Sequence, residues 1–366
     1  MSENEFSYVE VDKNLIVTAS IRDVDLHMYD VRRAPFELYG MYRPEDEEWF
    51  VRMPEEAAAS VSEGVLRLSN EPTGGRIRFS TNSPCVAIRA EMCAVGYGSH
   101  YPLMEAGAFD LYVDTPEGSH FERPFTPPYG MKEGYEQIIK FRTAEERFLT
   151  INFPVHARVK NVWVGVAPGS TLGKGLPYSN QKPVVFYGSS ITHGTGTTRP
   201  GLTYSNRLSR RFNLNIYNLG FSGQCKGEPA MAEYLAGLDM AALVLDYDHN
   251  APTPEYLEET HKALFDRIRQ SHPALPVIML TRPNVYPESV TAKRARDVIY
   301  KTYADAKAAG DENVYFVDGS EYMKPFGYDD GILDGVHPND LGYHAMVEAI
   351  CPHMAQIVAK SKDFQK

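Results

Sequence analysis

The sequence predicts two domains in series, an antiparallel β-sandwich followed by an α/β domain with a parallel sheet. Between about Gly64 and Pro168, apolar and polar residues alternate between turn-forming clusters, which is typical of half-buried antiparallel strands. The segment Pro168–Pro183 is rich in glycine, proline and serine and lacks hydrophobic periodicity, as expected for a linker. After it, short apolar runs alternate with helical stretches, as in βαβ units. We therefore predict a jelly-roll-like sandwich domain over residues 1–178 and an α/β domain over residues 180–366.

The first domain is predicted to contain one helix near Pro54–Ser62 and a series of short strands. In the last of these strands, Val162 and Val164 fall on one face and Trp163 on the other, because successive side chains of a strand point to opposite faces. The predicted strands lie around Leu66–Ser69, Arg76–Phe79, Val86–Met92, Phe109–Val113, Gln137–Phe141, Phe148–Phe153 and Lys160–Val166.

The second domain is predicted to have about five parallel strands with helices on both faces of the sheet. The predicted strands are Val184–Tyr187, Asn215–Asn218, Ala242–Asp246, Pro276–Leu280 and Val314–Val317. The predicted helices are Tyr204–Phe212, Pro229–Ala236, Pro254–Ser271, Ser289–Ala309 and Asp340–Ala359. Ligands of such sheets bind beyond the carboxyl ends of the strands, so functional residues are expected there.

Composition argues against several classes of function. The chain has 48 acidic and 37 basic residues, a net charge of −11, and no run rich in lysine or arginine, so nucleic acid is not an expected partner. The four cysteines form no C-x-x-C pair and no Cys/His cluster with zinc-ligand spacing. Neither a disulfide framework nor a structural zinc site is therefore expected.

Membrane insertion and secretion are not expected either. The longest apolar runs, such as Ala241–Leu245 and Val162–Val166, are far shorter than the roughly 20 residues that a membrane helix needs. The segment Met1–Glu10 is polar and acidic, unlike a secretory signal. We expect a soluble cytoplasmic protein that binds no membrane, and its oligomeric state stays open, a homo-oligomer included.

Residues suited to nucleophilic catalysis follow the predicted strands. Ser190 follows the first strand, Gly223 the second and Asn250 the third, and Asp334 precedes His337 by three residues near the end of the chain. A serine becomes a nucleophile when a base accepts its proton and preformed donors hold the developing oxyanion. Each residue alone is common in loops, but their joint occurrence in this order indicates a catalytic site.

The second domain, over about residues 183–358, resembles the SGNH hydrolases, also called GDSL-type esterases and lipases, whose sequence blocks centre on Ser, Gly, Asn and His in that order. In the first domain, the stretch from Gly107 to Tyr112 is similar to the Gly-x-Asp-Leu-Tyr motif of a β-domain that precedes these enzymes in one bacterial subgroup. The resemblance implies a flavodoxin-like hydrolase domain after the antiparallel β-sandwich. The blocks that carry it are Gly188-Ser189-Ser190, Ser222-Gly223, Asn250, Asp334-Gly335-Val336-His337 and Gly107-Ala108-Phe109-Asp110-Leu111-Tyr112.

The resemblance also implies a role for each of these residues. Ser190 would be the nucleophile, His337 the general base and Asp334 its orienting partner. The oxyanion hole would consist of the backbone N–H groups of Ser190 and Gly223 and the side-chain amide of Asn250. This chemistry requires no cofactor and no metal.

Two departures from the family pattern lie beside these groups. Ser189 stands where the family usually has aspartate, and the block that usually reads Gly-x-Asn-Asp is Asp248-His249-Asn250-Ala251. Neither departure removes a reacting group. We expect the second to change substrate preference relative to the better-known lipases.

We therefore expect a serine esterase that works through an acyl-enzyme on a small-molecule or oligosaccharide ester, with O-deacetylation of a carbohydrate as the favoured reaction. Hydrolysis of short acyl or lysophospholipid esters is one alternative. A catalytically inactive carbohydrate-binding protein is another.

The segment Gly194–Gly201 is expected to form a loop at the rim of the active site. Arg199, Glu228 and His249 are candidate substrate contacts there, although Arg199 and Glu228 also fit an ordinary surface charge or helix-end pair. The run from Asp246 to His249 has donor types that suit divalent cations, but no partner motif completes a metal site.

Overall fold

The structure of the chain is a computed structural model that describes residue 17 and residues 20–95, 101–283 and 289–364. The segment Met1–Glu10, on which the expectation about secretion depends, lies outside the described residues. No helix in these ranges is both long and apolar enough to span a lipid bilayer.

Two antiparallel sheets form the first half of the described chain. One has the strand order β1-β9-β4-β7, and the other has the order β10-β3-β8-β5-β6 with β2 also paired to β3. Apolar side chains from both sheets, Ile88 and Val164 from one and Phe79 and Ile151 from the other, belong to a single buried core, as expected for a sandwich. The elements are β1 (His27–Asp30), β2 (Glu37–Tyr39), α1 (Glu55–Val61), α2 (Glu63–Ser69), β3 (Arg76–Thr81), β4 (Cys85–Met92), α3 (Leu103–Gly107), β5 (Phe109–Thr115), β6 (Gly118–Phe125), β7 (Gly134–Lys140), β8 (Arg147–Asn152), β9 (Val159–Val166) and β10 (Gly173–Lys174).

A five-stranded parallel sheet with the order β12-β11-β13-β14-β15 forms the second half. One apolar cluster includes residues of α6, α7 and α8 and another includes residues of α5 and α9, so that the sheet is buried on both faces. The predicted fold class, a β-sandwich followed by a parallel α/β domain, is confirmed. The elements are β11 (Val184–Gly188), α4 (Ser190–His193), α5 (Tyr204–Phe212), β12 (Ile216–Gly220), α6 (Pro229–Ala236), β13 (Ala242–Asp246), α7 (Pro254–Ser271), β14 (Val277–Leu280), α8 (Val290–Ala308), β15 (Val314–Val317) and α9 (Asp340–Lys360).

The strand predicted around Leu66–Ser69 is wrong, because this segment is part of helix α2. The Ser62 side chain accepts a hydrogen bond of 3.1 Å from the backbone N–H of Val65 and thereby caps the helix. Val65 and Leu68, three residues apart, lie on the buried face of the helix. Both belong to the core of the parallel sheet and not to that of the sandwich. The first half of the chain therefore contributes α2 to the second domain.

Arg52 joins the sandwich half to the end of β12. It is completely buried, and its guanidinium donates to the backbone carbonyls of Glu71 (2.6 Å), Leu68 (2.7 Å), Asn218 (3.0 Å) and Gly220 (2.7 Å). Burial lowers the pKa of Arg52 to about 10, so the side chain remains charged at neutral pH. Two of the four carbonyls belong to the strand that leads to Gly223.

We expect Arg52→Met to lower the free energy of unfolding by about 3 kcal/mol or more, because several buried carbonyl groups would lose their donor. Urea denaturation measures this change. Arg67→Met, at an exposed position of α2, is the matched control and should change stability by no more than about 0.5 kcal/mol. Equal effects of the two substitutions would contradict a joining role for Arg52.

Candidate active site

Ser190 lies at the carboxyl edge of the parallel sheet, two residues after the end of β11. The strand ends at Gly188, and Ser189 caps helix α4 by accepting a 3.3 Å hydrogen bond from the backbone N–H of Ile191. Ser190 is the first residue of this helix, so its own backbone N–H has no acceptor within the helix. The local fold therefore presents both the hydroxyl and a free N–H of the same residue.

Asp334 and His337 occupy the loop before α9 and hold each other in place. One carboxylate oxygen of Asp334 accepts from the backbone N–H groups of Val336 (3.0 Å) and His337 (2.8 Å). The other oxygen lies 2.7 Å from Nδ1 of the His337 ring. Burial acts to raise the pKa of Asp334, but these hydrogen bonds outweigh it and hold the pKa below the usual value. The carboxylate is therefore ionised and fixed in orientation.

The His337 ring connects this carboxylate to the serine. Its Nε2 lies 2.8 Å from Oγ of Ser190, although the two residues are 147 positions apart in the chain. Because Nδ1 faces a carboxylate and donates to it, Nε2 of the neutral ring carries the lone pair that accepts the serine proton. The three residues that the sequence singled out lie in one hydrogen-bonded line.

Three further N–H groups at this edge are available as donors. Gly223 has φ = +71° and is exposed, and nothing lies within 4 Å of the position that a Cβ would take. The side-chain oxygen of Asn250 accepts from the backbone N–H of Cys225 at 3.3 Å, which leaves its amide NH₂ free to donate. Within the described residues, the N–H groups of Ser190 and Gly223 have no acceptor. Ser190, Gly223 and Asn250 follow the neighbouring strands β11, β12 and β13, respectively. The joint action of their N–H groups as an oxyanion hole stays a prediction.

The acidic residues after β13 are paired with protein donors. Asp246 accepts from the hydroxyls of Thr192 (3.0 Å) and Tyr204 (3.2 Å). Burial, and then the neighbouring Asp248, raise the pKa of Asp246 to about 8. Asp248 itself forms an ion pair of 3.0 Å with Nε of Arg282. Oδ1 of each of these two side chains is nevertheless buried without a hydrogen-bond partner in the described part of the chain.

The predicted contact residue His249 lies beside the line of catalytic candidates. Burial lowers the pKa of His249 to about 4, so the ring is neutral at pH 7. Its Nε2 is buried and has no hydrogen-bond partner in the described part of the chain. A substrate polar group would supply that partner, and a contact between His249 and substrate stays a prediction.

The other two predicted contact residues are engaged with the protein. Nη1 of Arg199 donates to the carboxylate of Asp110 (2.7 Å) and to the hydroxyl of Tyr112 (2.5 Å). The carboxylate of Glu228 accepts from the backbone N–H of Lys226 at 3.3 Å, and burial raises the pKa of Glu228. A substrate contact by either residue stays a prediction, since neither side chain has been placed against a ligand.

The stretch Gly107–Tyr112 contains the residues that bind the loop Gly194–Gly201. Asp110 is completely buried and accepts from Asn152 (2.7 Å) with one oxygen and from the backbone N–H of Gly201 (2.9 Å) with the other. The second oxygen also holds Arg199. The motif therefore fixes the loop Gly194–Gly201 from the sandwich side.

A buried cluster of two glutamates and two histidines lies under the same loop, and no sequence motif predicts it. Glu71 Oε2 lies 3.0 Å from His193 Nε2 and 3.4 Å from His156 Nδ1. His156 Nε2 lies 3.3 Å from Oε1 of Glu105, and this oxygen also accepts from the backbone N–H of Gly196 at 3.0 Å. These residues come from four separate segments, so their spacing in the sequence carries no signal.

The cluster combines metal-ligand spacing with the charges of an ion network. The nearest nitrogen or oxygen atoms of Glu71, His156 and His193 lie within 4.8 Å of one another, as metal ligands would. Burial acts to lower the pKa of His156, but hydrogen bonds to Glu105 and Glu71 outweigh it and raise the pKa to about 9. The ring is then an imidazolium whose two protonated nitrogens face the two glutamates.

The cluster reaches the loop of the candidate base through Gly196. This residue has φ = +99°, and a Cβ added to it would lie 2.4 Å from the carbonyl oxygen of Pro338 and 3.4 Å from Cβ of His337. Only glycine fits both the backbone conformation and this close approach. Glu105 therefore holds a segment that packs directly against His337.

Comparisons with known proteins agree with this architecture. Residues 181–355 match the model of the GDSL-like Lipase/Acylhydrolase family, and residues 26–172 match the model described as the N-terminus of Esterase_SGNH_hydro-type. Residues 181–355 therefore form a GDSL-like lipase/acylhydrolase domain, and residues 26–172 form the N-terminal domain found in SGNH-type esterases. This confirms the resemblance in both halves of the chain and makes the protein a carboxylic ester hydrolase. A search of the curated proteins found no match.

Several solved structures share the fold of this GDSL-like chain. A protein of Bacteroides ovatus named as a GDSL-like lipase is 25% identical, with a TM-score of 0.82 over 93% of this chain and 100% of the other. The salicylyl-acyltransferase SsfX3 of a tetracycline biosynthetic pathway is 21% identical, with a TM-score of 0.75 over 91% and 97%. The acetyl xylan esterase Est2A of Butyrivibrio proteoclasticus is 11% identical, with a TM-score of 0.60 over 92% and 99%.

We expect the stability of this protein to depend on pH through His156. The pKa of His156 is raised to about 9 in the folded protein, whereas the ordinary pKa of a histidine is ~6.5. The protonated ring therefore contributes its full stabilisation below pH ~6.5, and this contribution is lost as the pH rises through 9. His156→Gln should therefore be less stable than the wild type by about 1–3 kcal/mol at pH 6, with a smaller difference at pH 10. Urea denaturation across this range measures the difference.

His120→Gln is the control for this experiment, because His120 is exposed on β6. It should differ from the wild type by no more than about 0.5 kcal/mol at every pH. A stability difference for His156→Gln that stays constant or grows with pH would contradict an imidazolium at this position.

Proposed function

We propose that this chain hydrolyses carboxylic esters through an acyl-enzyme on Ser190, with His337 as general base and Asp334 as its orienting partner. The observation that carries the proposal is the hydrogen-bonded line in which Ser190 Oγ lies 2.8 Å from His337 Nε2 and His337 Nδ1 lies 2.7 Å from Asp334. This is the arrangement that serine hydrolases of unrelated folds use.

The first half of the proposed reaction forms the acyl-enzyme. Nε2 of His337 takes the proton of Ser190 while Oγ attacks the ester carbonyl carbon, and the carbonyl oxygen becomes an oxyanion. The N–H groups of Ser190, Gly223 and Asn250 donate to that oxygen. The imidazolium then gives its proton to the alcohol oxygen as the ester C–O bond breaks, and the alcohol leaves.

The second half of the reaction regenerates the serine. His337 takes a proton from water, the hydroxide attacks the acyl carbon, and the same donors hold the second oxyanion. The proton returns to Ser190 Oγ as the carboxylic acid departs. Asp334 remains ionised throughout, and its charge stabilises each transient imidazolium. Its two backbone hydrogen bonds keep the carboxylate from rotating away from the ring.

For the substrate, we propose an O-acetyl ester of a carbohydrate. Nε2 of His249, the amide NH₂ of Asn250 and the backbone N–H of Gly223 have no partner among the described residues, and they lie in the loops that follow β12 and β13, the two neighbours of β11. Such groups suit the hydroxyls and ring oxygens of a sugar. The acetyl xylan esterase among the solved structures shares the fold over 92% of this chain.

A second substrate class, short acyl or lysophospholipid esters, is favoured by two exposed apolar side chains. Leu333 and Val336 flank Asp334 and are 43% and 41% exposed. Apolar surface beside a catalytic residue suits an acyl chain as well as the apolar face of a sugar ring. The two classes differ in the length of acyl chain that the site accepts.

We expect Ser190→Ala to lower kcat/KM for p-nitrophenyl acetate by about 10³-fold or more, because no other group can form the acyl-enzyme. The wild type should gain one fluorophosphonate adduct in intact-mass spectrometry, and Ser190→Ala none. Ser189→Ala is the matched control, since the neighbouring serine caps α4 and does not contact His337. Labelling of Ser190→Ala, or loss of labelling in Ser189→Ala alone, would show that Ser190 is not the nucleophile.

For the substrate class, we expect kcat/KM to be higher for acetylated xylo-oligosaccharides than for p-nitrophenyl octanoate or lysophosphatidylcholine. Released acetate, octanoate and fatty acid measure the three rates. A preference for the longer acyl chains would favour the second substrate class. A wild-type protein that binds oligosaccharides without turnover or labelling would be a carbohydrate-binding protein.

A further inference from the structure

A cavity of about 400 Å³ lies between the two domains, away from Ser190 and His337. Its walls come from strand β3, the turn between β5 and β6, and the second half of helix α5, and none of its lining residues belongs to the candidate catalytic group. It is lined by four arginines and two acidic residues: Arg76, Arg78, Arg210, Arg211, Asp114 and Glu117. The cavity therefore has an excess of positive charge in a chain whose net charge is −11.

Arg210 lines this cavity with most of its hydrogen-bonding capacity unused. Its Nη1 donates to the backbone carbonyl of Gly201 at 2.6 Å, and the guanidinium lies 4.2 Å from the ring centre of Tyr112. Among the described residues, no carboxylate lies within 4.0 Å of this guanidinium, and its Nε and Nη2 have no acceptor. The edge formed by Nε and Nη2 is one that binds a carboxylate or phosphate with two parallel hydrogen bonds.

Asp114, one of the two acidic residues of the cavity, is already shared among other donors. Asp114 pairs with Nη2 of Arg78 at 3.0 Å and accepts from the hydroxyls of Thr150 (2.5 Å) and Ser119. Nε of Arg78 is nevertheless buried without an acceptor in the described part of the chain. Asp114 therefore bonds directly to Arg78, and no ion pair joins it to Arg210 among the described residues.

The surroundings of Arg210 are electrostatically unfavourable for a cation. Burial lowers the pKa of Arg210 by more than Tyr112 and Asp110 raise it, and the nearby Arg199 lowers it further. Burial lowers the pKa of Arg76 as well, and the neighbouring Arg78 adds to this effect. An anion in the cavity would offset both the lost solvation and the repulsion between the guanidinium groups.

We propose that this cavity binds a small molecule of about monosaccharide size that carries a carboxylate or a phosphate group, with Arg210 as the residue that holds the anionic group. The volume lies within the range of ~300–1,000 Å³ that is usual for small-molecule sites. A uronic acid and a sugar phosphate both have the required size and charge. The inference does not depend on the proposed function, because the cavity and the catalytic candidates share no residue.

Isothermal titration calorimetry at low ionic strength tests the proposal on the full chain, with inorganic phosphate, glucuronate, glucose 6-phosphate and glucose as probes. We expect at least one anion to bind and neutral glucose not to bind. Binding of glucuronate without phosphate assigns a carboxylate ligand, and the reverse result assigns a phosphate ligand. If no anion binds, or if glucose binds as tightly as the anions, the proposal is wrong.

Substitutions locate the binding. We expect Arg210→Gln to weaken anion binding about 10-fold or more, and Arg210→Lys to weaken it too, because lysine keeps the charge but not the planar edge. Arg123→Gln, at an exposed position of β6, removes the same charge elsewhere and should change affinity less than about 2-fold. Equal weakening by Arg123→Gln and Arg210→Gln would reduce the effect to net charge and overturn the proposal.

A variant at the rim of the cavity tests the proposal even if the substitutions of Arg210 prevent folding. Arg211 lines the same cavity and its side chain is 48% exposed, so Arg211→Gln is expected to fold. It should weaken anion binding about 3-fold, and circular dichroism verifies the fold of every variant. If Arg211→Gln and Arg210→Lys both fold and both bind the anion with unchanged affinity, the anion binds elsewhere and the proposal is wrong. Hydrolysis of p-nitrophenyl acetate is assayed separately, so failure of the proposed function is distinguishable.

Discussion

Backbone groups at the carboxyl edge of the parallel sheet complete their hydrogen bonds with side chains of the sandwich, and the geometry of the candidate active site depends on this. Glu105 accepts from the N–H of Gly196, Asp110 accepts from the N–H of Gly201, and Thr73 donates to the carbonyl of His193. A buried peptide group without a partner costs free energy, so these loops keep their conformation only while the sandwich is in contact. The two domains therefore act as one unit at this edge.

The Gly-x-Asp-Leu-Tyr motif combines this contact with the packing of the sandwich. Leu111 is completely buried in the sandwich core, whereas Asp110 and Tyr112 on the opposite face of β5 reach Arg199 of the other domain. Strand alternation places the two polar residues on the same face, since they are two positions apart. The motif therefore belongs to a domain that is built to hold a hydrolase loop.

Charged groups in the interior lie mainly where the two domains meet. The His156 imidazolium stands between two glutamates, and the Arg52 guanidinium is surrounded by backbone carbonyls. His156 Nε2 also lies 3.1 Å from the Thr195 hydroxyl, and Arg52 also donates to Asn218 and Gly220, so each charge has partners in both domains. Such pairs add little stability over apolar packing, but they fit only one relative placement of the domains. The cavity around Arg210 differs, because its positive charge exceeds the negative charge that the protein supplies.

The sequence by itself determined most elements and the three candidate catalytic residues. Helices α5, α6 and α7 and strands β13 and β15 have the predicted bounds, because local hydrophobic periodicity and capping residues set where they begin and end. Ser190, Asp334 and His337 were identifiable because each follows a strand end or lies in a short spacing that chemistry requires. The structure brings their side chains to hydrogen-bonding distance, and their catalytic role awaits the labelling experiment.

Tertiary structure alone decided which surfaces meet. In helix α2, the apolar residues Leu66 and Leu68 alternate with polar residues, which is the pattern of a strand. The segment is a helix because Val65 and Leu68 pack into the core of the parallel sheet, and local sequence does not encode this contact. Glu105 and His156 lie 51 residues apart in the chain and 91 and 40 residues before Gly196. Neither stands in a recognisable motif with the other, because a buried ion network requires proximity in space and places no constraint on spacing along the chain.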